Sequence, residues 1–158
     1  MTIRDAVVSD AAEITRLVLE LGYPAETPVI AKRLARVTAG PQRVVLVAVI
    51  DEQVVGWLEA RASEVLESGF RVEIVGLVVS DLCRRRGVGR HLIQRAEEWA
   101  AKIDAPLLVV RSNIKRVESH RFYTALGFTT TKTQVVYRKS MIAEAQPTSG
   151  ANGADIGR

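Results

Sequence analysis

The sequence predicts an α/β or α+β fold, a mostly antiparallel sheet flanked by helices. Three observations carry that expectation: two amphipathic helical repeats come early, a run of β-branched segments joined by short turns follows, and the chain then alternates strand, helix, strand, helix, strand. At 158 residues the chain has the length of one domain. Its apolar and charged shares are those of ordinary globular proteins, which excludes a disordered or collagen-like chain.

The first strand is expected at residues 2–7, where Ile3 and Arg4 alternate ahead of Val7 and Val8. Ser9 and Asp10 offer an N-cap, and Ile14, Leu17, Val18 and Leu21 repeat at helical spacing until Gly22. Thr27 before Pro28 opens a second helix, with Ile30, Leu34 and Val37 on its apolar side and Gly40-Pro41 as its stop. Residues 43–50 form a dense β-branched run, Asp51-Glu52-Gln53 a turn, and residues 54–62 a second strand, together a hairpin. Residues 70–79 are apolar on both faces, as a central strand covered on both sides should be, and Gly76 inside them marks a bulge or a close backbone approach. Val88, Leu92, Ala96, Trp99 and Ile103 then step at 3.6-residue spacing until Asp104-Ala105-Pro106. A short strand at 107–111, a short helix at 119–126 stopped by Gly127, and a strand or strand pair at 128–139 complete the pattern. Beyond this, Ala, Gly, Ser, Pro and Gln dominate, so residues 1–140 are expected to form a single domain and 141–158 a disordered tail.

No apolar run approaches the roughly 20 residues of a membrane span, no basic-then-apolar leader opens the chain, and the single cysteine, Cys83, has no internal partner. These features point to a cytoplasmic protein without a membrane partner. Charge is uneven: residues 1–83 carry 8 Lys/Arg against 12 Asp/Glu, whereas residues 84–121 carry 10 against 4. A basic block in a mildly acidic chain suits a polyanion, either a nucleic acid or a phosphorylated cofactor. Helix-turn-helix patterning and basic residues interleaved with aromatics are missing, so nucleic acid is not the expected partner. No Cys/His/carboxylate cluster has metal-ligand spacing, and no metal is expected.

The basic block opens with Arg84-Arg85-Arg86-Gly87-Val88-Gly89-Arg90, between the end of the apolar strand and the start of the long helix. Two glycines let the main chain approach a ligand closely, and the N–H groups and positive dipole end of the helix suit a phosphate or pyrophosphate. The stretch is neither a Walker loop nor a complete dinucleotide fingerprint. Further on, Val109-Val110-Arg111-Ser112-Asn113 is followed by Phe122-Tyr123-Thr124-Ala125-Leu126-Gly127-Phe128.

These two segments, in this order, resemble the GNAT superfamily of acetyl-CoA-dependent N-acetyltransferases, whose signature [QR]xxGx[GA] matches Arg84 to Gly89 and whose FYxxLGF ending matches Phe122 to Phe128. The resemblance covers residues 2–139. It implies a mixed, mostly antiparallel sheet of six to seven strands flanked by about four helices, with acetyl-CoA as donor and a small amine as acceptor. Main-chain groups of Leu77, Val78 and Val79 would bind the pantetheine arm and acetyl carbonyl, with the Leu77 N–H facing the oxyanion. The amides of Arg84, Arg85, Arg86, Gly87, Val88, Gly89 and Arg90 would cradle the pyrophosphate, and Asn113, whose amide could also cap the turn that follows it, would touch the cofactor. Tyr123 would protonate the departing thiolate; its phenol is suited to that task.

Glu73 interrupts an apolar strand, where a carboxylate needs a partner or water. It stands eleven positions before Arg84, where histone-type members carry a general base, and the competing role is an ion pair with an arginine such as Arg71 or Arg111. His120 reads as a packing or capping residue and Cys83 as structural. By resemblance the first two helices and the hairpin line the acceptor cleft, so Glu26, Glu59, Glu64 and Glu67 are candidates for binding a cationic amine. A peptide amine as acceptor and an acetyl-CoA sensor without turnover are the alternatives. Pairing of two copies through residues 129–137 is the family analogy for a homodimer.

Overall fold

The alternation that predicts the hairpin builds the centre of the sheet. The computed structural model describes residues 1–141, and the chain divides into two compact units, residues 1–111 and the residues from Ser112 on. In the first unit, β1 (Thr2–Asp5), α1 (Ala11–Glu20) and α2 (Thr27–Val37) precede the hairpin strands β2 (Arg43–Ile50) and β3 (Gln53–Val65). β4 (Gly69–Val79), α3 (Val88–Lys102) and β5 (Leu108–Val110) follow. The strand order is β1-β2-β3-β4-β5; every neighbouring pair is antiparallel except β4 with β5, which α3 connects as a crossover.

Period-2 alternation sends the two sides of the hairpin to different helices. Val45 and Val47 of β2 and Val78 of β4 share a buried cluster with Ile14 and Leu17 of α1 and Ile30 and Leu34 of α2, and Trp57 packs against it. On the opposite face, a Cβ at Gly56 would stand 3.2 Å from Val88 Cγ1 and 3.4 Å from Leu92 Cδ1, which places α3 there. Leu46, Leu58, Val72, Val88, Leu92 and Ile93 are all under 2% exposed, so burial on this side is complete enough to hold the N-terminal turn of α3 in place.

Asp10 behaves differently from the expected cap. It stands just before α1, but its carboxylate turns back to accept from Arg4 Nη1 and Nη2, both at 2.7 Å, and from Val7 N at 2.8 Å. A charge-assisted fork thereby ties the end of β1 to the start of α1. Thr27 begins α2 within its first turn, and Glu26 takes the cap position.

Among the described residues the sheet has five strands, fewer than the six to seven expected. Residues 128–139 carry no regular secondary structure, and Val135, Val136 and Tyr137 are exposed. The stretch from Thr129 to Gln134 has β-branched shape but no apolar alternation, and β propensity without a face to bury does not make a strand. Apart from Met141, the tail expected at 141–158 lies outside the described residues. No helix among the described residues is long and apolar enough to cross a membrane.

Candidate functional site

β4 is paired along its whole length on one edge and only in part on the other. β5 meets it at Val72, Glu73 and Ile74, while β3 runs beside it from Gly69 to Val79. Glu59 lies opposite Gly76 but the next residue, Ala60, lies opposite Ile74, so Val75 is extra: this is the bulge that Gly76 announces. Ser80 N donates to Val55 O at 2.8 Å. The pairs in phase with it, Trp57 with Val78 and Glu59 with Gly76, are therefore the hydrogen-bonded ones, and the N–H groups of Leu77 and Val79 turn to the edge beyond the end of β5. Val78 departs from the expectation for its main chain, since alternation commits it to the β3 ladder and its side chain is in the α1/α2 core.

The indole of Trp57 explains the glycine itself. A Cβ at position 76 would lie 2.6 Å from Trp57 Cζ3 and 2.8 Å from Cη2, so only glycine fits beneath the ring.

Past the end of β4, a single 3-10 turn (Asp81–Cys83) leads into Arg84 to Gly87. Arg85 has φ of 59° and Gly87 φ of 80°, a left-handed turn that delivers the chain into α3 at Val88. No side chain caps this helix, and its first N–H groups are open for an anion. His91 Nδ1 donates to Gly87 O at 2.8 Å, holding the turn from inside the helix. Arg84 is engaged by Asp81 at 2.6 Å and Arg86 approaches the buried Cys83 Sγ at 4.0 Å, whereas Arg85 and Arg90 have no ion pair among the described residues. An outward β4 edge leading into an uncapped basic helix start has the donors that a pantetheine amide and a pyrophosphate require, so the residues fit acetyl-CoA.

Glu20 and Arg16 belong to this region and were not singled out from the sequence. Glu20 accepts from Ser80 Oγ at 3.4 Å and Asp81 N at 3.3 Å, and Arg16 pairs with Glu20 while Arg16 Nη2 donates to Val54 O at 2.8 Å. Their i,i+4 spacing is legible in the sequence; the contact across some sixty residues is not.

Glu73 is 6% exposed and lies between two guanidinium groups, Arg111 Nε at 2.9 Å from one oxygen and Arg61 Nη2 at 3.1 Å from the other. Arg61 sits directly across on β3, in the place the sequence offered to Arg71, whose Nη1 donates to Ser68 Oγ instead. Glu59 shares this face two residues before Arg61. Among the described residues it forms an ion pair with Arg43, at 3.5 Å, and burial pushes its carboxyl above the usual carboxylate range, with Arg43 and Arg61 pulling the other way. The other candidate acids, Glu26, Glu64 and Glu67, are exposed.

In the second unit, Asn113 organises the turn before α4 (Val117–Ala125): its Oδ1 accepts from Lys115 N at 2.9 Å, and its main-chain O accepts from Arg116 N and from His120 Nε2, both at 3.0 Å. His120 is thus a turn-holding residue. Tyr123 stacks edge-on with Phe122 at 5.2 Å and Phe128 at 5.6 Å, and burial raises its phenol above 10, with Arg116 in part offsetting the shift. Gly127, at φ of 88°, ends the helix.

Comparison with known proteins bears on the family and the fold. An N-acetyltransferase of Bacillus subtilis (strain 168) is 35% identical over 65 residues, 40% of this chain and 46% of that protein, so the match spans less than half of that relative. An aminoglycoside N(6')-acetyltransferase type 1 of Acinetobacter haemolyticus is 30% identical over 103 residues, 61% of this chain and 69% of that protein. In fold, the chain is similar to the crystal structure of the aminoglycoside antibiotic 6'-N-acetyltransferase AAC(6')-IG from Acinetobacter haemolyticus, with a TM-score of 0.78 at 24% identity over 90% of this chain and 100% of that one. The model of the acetyltransferase (GNAT) family matches residues 11–128, and the chain belongs to that family.

Proposed function

We propose that residues 1–140 form an N-acetyltransferase domain that moves an acetyl group from acetyl-CoA directly to a primary amine of a small cationic acceptor. The observation that carries this reading is the outward edge of β4 at Leu77 and Val79, running into the uncapped N-terminus of α3. Val79 binds the pantetheine arm through its main chain, and Val78 supports the strand from the core side. The amides from Arg84 to Arg90 hold the pyrophosphate, with Arg85 and Arg90 free to add charge, and Asn113 contacts the cofactor. Leu77 N–H stabilises the tetrahedral oxyanion, a donor fixed in advance by the sheet. Tyr123 protonates the leaving thiolate; a buried phenol with a raised pKa stays protonated for that step.

Of the two roles the sequence left to Glu73, the ion pair has the support of geometry. Accepting a proton would leave Arg61 and Arg111 facing a neutral acid, so this carboxylate ties β3, β4 and the end of β5 together. The small, cationic acceptor is supported by the aminoglycoside acetyltransferases among the relatives. Pairing of two copies through residues 129–137, whose Val135, Val136 and Tyr137 are exposed, and a cytoplasmic site of action complete the proposal.

The test is CoA thiol release from acetyl-CoA over polyamines, aminoglycosides, amino acids and peptides, with a no-acceptor control and a thermal-shift titration of acetyl-CoA. Thiol release with small cationic amines is expected. Stabilisation by acetyl-CoA without release would favour a sensor, and release with peptides alone would favour a peptide acetyltransferase.

A further inference from the structure

We infer that Glu59, not Glu73, takes the proton from the acceptor's ammonium group, an inference that rests on the acetyl-transfer reading above. Glu59 is paired across the sheet with Gly76, at the bulge and next to Leu77 in the strand proposed to hold the oxyanion. It is the one acid of the four acceptor candidates that is drawn into the sheet surface, with its side chain 24% exposed. That exposure leaves a path for an amine while stripping most of the water that would compete with it.

The groups facing it define its charge state. Arg43 reaches it from β2 at 3.5 Å, longer than a close ion pair, and Arg61 lies beside it on β3. Glu73, on the same face of β4, is held by Arg61 at 3.1 Å and Arg111 at 2.9 Å, one on each oxygen, whereas the ion pair of Glu59 among the described residues is the longer one to Arg43. Desolvation moves its carboxyl toward neutral pH, the direction that makes a carboxylate a better base for an ammonium.

The reaction balances with one proton taken at this residue. The ammonium N–H bond breaks and its proton passes to a Glu59 oxygen, and the freed nitrogen lone pair forms the C–N bond to the acetyl carbon as the carbonyl π pair moves onto oxygen, facing Leu77 N–H. That pair re-forms the carbonyl as the C–S bond breaks and its electrons leave on the thiolate, and Tyr123 protonates the sulfur and recovers a proton from the new amide nitrogen. Glu59 returns its proton to solvent.

The experiment is a pH profile of kcat/KM for an amine that the wild-type protein acetylates. Glu59→Gln is expected to lose about 10²–10⁴-fold at neutral pH, to recover as pH rises and free amine accumulates, and to keep its KM for acetyl-CoA within about twofold. Arg43→Gln, which removes a cation that pulls the carboxyl down, is expected to shift the acid limb to higher pH with the fold intact. A Glu59→Gln loss equal at every pH, or an acid limb unmoved in both variants, overturns the assignment while acetyl transfer stands. Wild-type protein that acetyl-CoA stabilises but that releases no thiol with any amine overturns both.

Discussion

Gly76→Ala perturbs the bulge at the point where the donor edge of β4 begins. The new Cβ would lie 2.6 Å from Trp57 Cζ3 and 2.8 Å from Cη2, against about 3.5–4.0 Å for an unstrained carbon contact, so the ring and strand must separate by about 1 Å. The indole is packed against the α1/α2 core and cannot swing away freely. Overpacking of this size costs about 1–3 kcal/mol, and at about 2–4 °C per kcal/mol for a chain of this length the midpoint falls by about 2–12 °C. Thermal melts followed by far-ultraviolet circular dichroism measure this. Trp57→Phe deletes the two clashing ring atoms, so in that background the cost of Gly76→Ala should shrink by more than the 0.3–0.5 kcal/mol or so within which independent sites add. A Gly76→Ala midpoint equal to that of the wild type, or two strictly additive variants, would refute the claim that the ring is what demands glycine.

Three further outcomes are expected. Asp10→Asn should destabilise by about 1–3 kcal/mol near neutrality, a range kept low because Arg4 is 41% exposed; since the hydrogen bond from Arg4 lowers the folded-state pKa of Asp10, the deficit should fade as pH drops below about 4, seen by urea melts across pH. Gly87→Glu places a side chain at φ of 80° and a negative charge at the mouth of α3, and should abolish the acetyl-CoA thermal shift while the protein still melts cooperatively. Tyr123→Phe should lower kcat with little change in acetyl-CoA affinity by calorimetry, and an unchanged kcat would remove Tyr123 as the acid.

Much of this protein was legible in one dimension because local rules and global packing agree. The β-branched run of β2 (Arg43–Ile50), the two-faced apolar strand β4 (Gly69–Val79), and α3 (Val88–Lys102) after a glycine are all readable from periodicity and turn chemistry. The Arg84 to Gly89 stretch carries the resemblance to the family whose model matches residues 11–128, since a helix N-terminus next to paired glycines is a local structure with a local sequence requirement. Tertiary structure decided what parity and propensity leave open. The bulge at Val75 shifts the β3–β4 register and sets Glu73, rather than Ile74, opposite Arg61, because one extra residue in a strand re-pairs every side chain below it. Asp10 turned from a helix cap into an arginine clasp, and residues 128–139 kept β-branched composition without a strand, because hydrogen-bond partners and an apolar face to cover are properties of the folded neighbourhood and not of the segment.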